Sequence, residues 1–172
     1  MSRTRIAVLG CGRIGRVHAD SVAVSDRAEL TWVFDPIEAA AGEVGERYGA
    51  AWTTDVEEVL AAGDVDAVVV ASPTPTHVDL LTRAVRTGRT VLCEKPIDLD
   101  LARVDACRAD LGELTQKVML GFNRRFDSSF AEVRRRVDAG EIGPLEQLTI
   151  VSRDPAPPPA DRSSGSAAAT RC

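Results

Sequence analysis

Arg5 to Leu9 (RIAVL) is a short, mostly apolar run that leads directly into Gly10, Cys11, Gly12, Arg13, Ile14 and Gly15. No other feature of the chain limits its fold as strongly. A strand that ends in GxGxxG and continues as a helix is the opening of a βαβ unit that seats a dinucleotide pyrophosphate. Each glycine has a separate steric role. Gly10 permits the tight turn, Gly12 lets backbone approach the phosphates, and Gly15 lets the helix pack close to the strand. The helix start carries roughly half a positive charge and several unpaired N–H groups, so an anion is held there without a lysine. Arg13 adds to that field, and Ile14 completes the candidate site. The glycines alone also fit a merely structural turn. A second apolar run, Leu30 to Phe34, ends at Asp35, 20 residues beyond Gly15, where the motif places an acid that accepts hydrogen bonds from the adenosine ribose. Asp35 favours NAD over NADP, because its carboxylate repels a 2′-phosphate and neither Pro36 nor Ile37 offers a neutralising cation.

The 172 residues suffice for one full domain or for one domain and part of another. A 44% hydrophobic content with only 4% aromatics suits a layered α/β protein. The net charge of −5 gives no electrostatic footprint for nucleic acid or anionic lipid, so neither is expected as a partner. The basic run Arg134, Arg135, Arg136 lies near Glu132 and Asp138 and reads as a solvated helix face. Cys11, Cys93, Cys107 and Cys172 show no CxxC pairing and no histidine cluster, so no metal site and no disulfide framework is expected. There is neither a signal-peptide pattern nor an apolar run of membrane-spanning length. A cytoplasmic protein follows as the expectation.

Strand and helix signals alternate along the chain. Helices are expected over 38–48, 56–62, from Thr76 as N-cap to about Thr87, and over 101–111; strands are expected at 51–52, 66–71, 90–93 and 117–122. Such alternation demands parallel strands joined by crossovers, with ligands beyond the carboxyl ends of the strands. The fold class is therefore α/β, a Rossmann-type doubly wound parallel sheet followed by the incomplete start of a C-terminal α/β domain. Residues 1–122 form the nucleotide-binding domain and 123–160 the beginning of the second, with a helix over 128–139 and a strand from Leu145 to Val151. From Ser152 onward the chain contains no Val, Ile, Leu, Met, Phe, Trp or Tyr, so disorder is expected there, with 161–172 an aberrant tail.

Glu94, Lys95 and Pro96 follow a buried strand at the ligand edge. On the residues alone, a strand-ending charged pair and a functional lysine are equally open. The chain resembles the Gfo/Idh/MocA oxidoreductases through GCGRIGRVHA at its start, ASPTPTHVDL at 71–80, EKPIDLD at 94–100 and GFNRRFD at 121–127. Within that family GFNRRFDSSF and SRDPAPPP resemble the inositol 2-dehydrogenase branch, and the likeness covers about residues 4 to 160. The resemblance implies an N-terminal NAD-binding Rossmann domain and a C-terminal domain whose open sheet builds a homo-oligomer, a tetramer. The implied reaction is oxidation of a ring hydroxyl of a small polyol. It further implies Lys95 as catalytic, Ser72, Thr74, His77 and Glu94 as cofactor-cleft residues, and Asn123, Arg124 and Asp154 as substrate-facing.

Free lysine titrates near about 10.4 and histidine near about 6.5, so histidine is the better proton acceptor at neutral pH. The family supplies one in a downstream DxxxH, whereas this chain contains only His18, expected to pack or cap locally, and His77. After Asp161 the expected continuation gives way to RSSGSAAATRC. A truncated or frame-shifted chain with weak binding and negligible turnover is the expectation. The alternatives are another sugar or diol dehydrogenase of the family and a non-catalytic nucleotide-binding module.

Overall fold

The computed structural model describes residues 2–151 and 153. The chain forms β1 (Thr4–Leu9), α1 (Arg13–Ala23), β2 (Ala28–Phe34), α2 (Glu38–Tyr48), β3 (Ala51–Thr53), α3 (Val56–Ala61), β4 (Ala67–Val70), α4 (His77–Arg86), β5 (Thr90–Cys93), α5 (Leu101–Leu111), β6 (Val118–Leu120) and α6 (Ser128–Asp138), with short 3-10 turns at Thr74–Thr76, Gly112–Lys117 and Asn123–Phe126. The strands make one sheet in the order β3-β2-β1-β4-β5-β6, and every neighbouring pair is parallel. The chain winds outward from β1 to β3, returns to the centre through α3, and winds outward again from β4 to β6. The order therefore reverses between β1 and β4, and the expected doubly wound Rossmann-type sheet is what forms.

Alternation along the central strands divides the core into two layers. Ala7, Leu9, Val68, Val70, Val91 and Cys93 pack with Val59 of α3, Leu80 and Ala84 of α4 and Leu111 of α5. Val8, Val33 and Val69 pack with Ala19 and Val22 of α1 and Val44 of α2. Cover on both faces explains why these strands read as unbroken apolar runs. Val8, Leu9, Val33 and Val70 are fully buried, and each such side chain contributes roughly 1.5–3 kcal/mol.

Asp55 and Asp100 start α3 and α5 by accepting the N–H groups of Glu57 and Ala102, both at 2.9 Å. Thr76 occupies the cap position of α4 but does not cap it. Its hydroxyl donates to the Pro73 carbonyl at 2.8 Å and pairs with the Ser72 hydroxyl at 2.6 Å. The 3-10 turn before α4 has already brought Thr76 to φ −97, ψ −8, whereas capping side chains reach forward from extended backbone.

The chain divides into two units, the first continuing through Phe126 and the second starting at Asp127. In the second, α6 carries the arginine run in ion pairs along its own surface: Arg134 with Asp138 at 2.6 Å, and Arg135 and Arg136 both with Glu132 at 2.8 Å. The strand expected over Leu145–Val151 does not form; 145–151 are irregular, with Leu145, Leu148, Ile150 and Val151 exposed. A strand persists only where a neighbouring edge takes up its N–H and C=O groups, and among the described residues no segment pairs with this one. Asp154 and the 161–172 tail lie outside the described residues. Among the described residues no helix is long and apolar enough to cross a membrane, and no group of three His, Cys, Asp or Glu side chains could hold a metal ion.

Candidate functional site

The carboxyl ends of β1 and β4 lie side by side at the point where the strand order reverses, and the glycine loop sits in the crevice between them. Gly10 has φ +100, and a Cβ built there would lie 2.7 Å from both the Cα and the N of Ser72. Only glycine tolerates that conformation and that approach of the loop after β4. A Cβ on Gly15 would fall on the Gly10 carbonyl oxygen, with the Gly10 carbonyl carbon at 2.8 Å, so α1 starts directly against the turn. Gly12 differs from both. A Cβ there would meet nothing within 4 Å, and Gly12 precedes α1 with no side chain capping the helix. An exposed Arg13 and a half-buried Ile14 open the helix. Open space before uncapped helical N–H groups is the cradle a pyrophosphate requires, so the residues present fit a dinucleotide.

Asp35 stands at the end of β2 beside this loop. Its Oδ2 accepts the Cys11 N–H at 2.8 Å and its Oδ1 accepts the Ile37 N–H at 2.9 Å. The carboxylate thus fixes the glycine turn, and each oxygen retains a lone pair for a further donor. Burial, reinforced by the Asp35 charge, pushes the Cys11 thiol up to about 12. Burial with the neighbouring Glu94 does the same to Cys93. Cys11, Cys93 and Cys107 are all free and buried.

The Ser72 and Lys95 loops follow β4 and β5 at the same edge. Ser72 and Thr74 are half-buried and Lys95 is exposed. The ring of His77 is buried between these two loops. It is 1% exposed, with Nδ1 2.7 Å from the Pro96 carbonyl oxygen and Nε2 2.7 Å from the Ser72 carbonyl oxygen. Both ring nitrogens are thus used in joining the Ser72 and Lys95 loops. Carbonyl oxygens only accept, so both contacts become hydrogen bonds only in the doubly protonated ring.

Glu94 is likewise engaged within the protein. Its Oε1 lies 2.8 Å from Nε2 of His18, and its Oε2 accepts the Lys95 N–H at 3.3 Å. Gly121 makes room for this carboxylate, because a Cβ there would lie 3.1 Å from Glu94 Cδ. His18 therefore neither packs nor caps locally; it reaches from α1 to a residue 76 positions away in the chain. No local pattern could have disclosed that pairing. The exposed Asn123 and Arg124 follow β6 at the same edge of the sheet.

Known proteins match this chain in sequence and fold. The inositol 2-dehydrogenase of Rhizobium meliloti strain 1021 is 48% identical over 157 residues, covering 91% of this chain and 47% of that protein. The crystal structure of a myo-inositol dehydrogenase from Corynebacterium glutamicum superposes with a TM-score of 0.89 at 53% identity, covering 92% of this chain and 48% of that one. That of scyllo-inositol dehydrogenase from Lactobacillus casei, with bound NAD(H) and scyllo-inositol, gives a TM-score of 0.77 at 30% identity over 83% of this chain and 43% of that one. The chain spans about half the length of the relatives it matches. With residues 4–122 matching the family model, the chain belongs to the Gfo/Idh/MocA oxidoreductase family with the NAD-binding Rossmann fold.

Proposed function

We propose that the first unit binds NAD and forms the nucleotide half of a dehydrogenase that oxidises a ring hydroxyl of myo-inositol or a closely similar polyol. The observation that carries this reading is the meeting of the Gly10–Gly15 loop, Asp35 and Lys95 at one edge of the sheet, around the point where strand order reverses. The uncapped N–H groups of α1 and the open space at Gly12 receive the pyrophosphate, with Arg13 and Ile14 beside it. Asp35 accepts from the ribose hydroxyls with its remaining lone pairs and disfavours NADP by charge repulsion. Ser72 and Thr74 border the cleft.

Bound NAD supplies the acceptor for the hydride that leaves the carbinol carbon. Lys95 donates from its ammonium to the reacting hydroxyl and favours the alkoxide as the proton departs. Asn123, Arg124 and Asp154 orient the ring polyol. His18 is held on Glu94 and the 1% exposed His77 lies between two loop carbonyls, so both serve contacts within the protein rather than with a substrate. The proton acceptor then belongs to the remainder of the whole protein, as does assembly into a homo-oligomer. The buried free thiols suit a reducing cytoplasm.

Calorimetry with NAD and NADP, followed by NADH formation from myo-inositol by the whole protein, tests the proposal. Binding of NAD but not NADP, with turnover abolished by Lys95→Ala, is the expected result. NAD binding without turnover on any ring polyol leaves the nucleotide-binding module as the function, and absence of NAD binding overturns both.

A further inference from the structure

The chain contains two histidines, and each holds a residue directly adjacent to Lys95. On one side, His18 of α1 engages the Glu94 carboxylate at 2.8 Å. On the other, His77 at the start of α4 engages the Pro96 carbonyl at 2.7 Å. Both links reach back to the elements that receive the dinucleotide. α1 is the helix opened by the glycine loop, and the second nitrogen of His77 engages the Ser72 carbonyl, the residue whose backbone abuts Gly10. We propose that His18 and His77 are positioning residues forming a two-sided clamp on Lys95, which ties its placement to that of the nucleotide-binding loops.

The exposure pattern supports this. Lys95 itself is exposed and lies in a loop, where a side chain with four rotatable carbons would otherwise be free to wander. His77 is fully buried, and the His18 and Glu94 side chains are 21% and 19% exposed. The anchors are thus shielded while the lysine stays accessible. Glu94 adds a contact to the Lys95 N–H at 3.3 Å, so the carboxylate held by His18 also steadies the lysine backbone. A site works only when its reacting group is held by neighbours that are themselves locked.

The clamp rests on the proposed function only for its significance, and the test separates the two. Lys95 and Lys117 are the only lysines. Reductive methylation with carbon-13 therefore yields two lysine signals by NMR, assigned by loss of one in Lys95→Arg. Lys117 donates to the Gly88 carbonyl at 2.8 Å and serves as the internal control. In the nucleotide-free chain, His18→Leu and His77→Gln are each expected to shift the Lys95 signal toward its value in the unfolded chain while leaving Lys117 unchanged. His18→Gln and His77→Asn place an amide nitrogen near Nε2 and Nδ1 respectively and are expected to restore it. Should the buried His77 variants fail to fold, the His18 pair decides. A Lys95 signal that is identical in all variants, or that moves only together with Lys117, overturns the clamp. Adding NAD to the unsubstituted chain then tests the proposed function separately: a Lys95 signal that ignores NAD removes that reading, whatever the histidine variants show.

Discussion

Gly10 and Gly12 are two positions apart in the same turn, and their environments predict opposite consequences for the same substitution. Gly10→Ala forces a side chain onto backbone at φ +100 and drives its Cβ to 2.7 Å from Ser72 N and Cα and 2.8 Å from the Ala71 carbonyl carbon. These are main-chain atoms that cannot rotate away. The left-handed conformation costs about 1–2 kcal/mol and forced overpacking about 1–3 kcal/mol, so the fold loses about 2–5 kcal/mol of a total near 5–15 kcal/mol. Gly12→Ala meets nothing within 4 Å and lies at φ −70. A poorer helix cap and a less flexible unfolded chain nearly cancel there, leaving stability within about 0.5 kcal/mol of the parent. The added methyl instead occupies the space expected for the pyrophosphate and weakens NAD binding by tenfold or more, about 1.4 kcal/mol. Thermal unfolding and calorimetry on both variants separate the effects. The Gly10→Ala midpoint is expected about 4–20 °C lower, with Gly12→Ala unfolding like the parent but binding NAD poorly. A Gly12→Ala chain that binds NAD normally, or that unfolds as early as Gly10→Ala, refutes the assignment of these two roles.

Asp35→Asn leaves one oxygen where two now accept the Cys11 and Ile37 N–H groups. About 1 kcal/mol of stability should be lost and the preference for NAD over NADP relaxed; chemical denaturation and paired titrations check both, and an unchanged cofactor ratio removes Asp35 from the ribose site. Asp66 is held down at about 2, from 3.8, chiefly by its hydrogen bond with the Arg5 side chain and then by the Arg5 backbone N–H. A lowered carboxyl stabilises the fold above the unfolded value and loses that contribution as pH falls through the folded one. The gap in urea midpoint between parent and Asp66→Asn should therefore shrink from about pH 4 to about pH 2, and a gap that stays constant over that range contradicts the pairing. Cys11 and Cys93, pushed up to about 12, should resist a disulfide reagent at mildly alkaline pH in the native Cys172→Ser chain and react on unfolding; rapid native labelling of either would show that burial does not protect them.

Much of the fold was legible because its signals are local. β5 and α5 occupy the expected Thr90–Cys93 and Leu101–Leu111, since an apolar run between turn residues and an Asp cap before a periodic helix need no distant partner. The glycine spacing likewise announced the tight turn between β1 and α1. The Leu145–Val151 run was misread because its β-forming composition says nothing about whether a neighbouring edge exists to pair with it.

The one-dimensional chain thus determined the alternation of strands and helices, the cradle at Gly10–Gly15 and the lysine at the edge of β5. Only the tertiary structure decided what His18, His77, Glu94 and Asp35 do, because each acts through a partner on another element that the winding of the sheet brings near. Glu94 reaches His18 across 76 positions and Asp35 reaches Cys11 across 24. Spacing along the chain encodes what a residue can form with its neighbours in a helix or turn; which carbonyl a buried imidazole meets is set by how the sheet is wound.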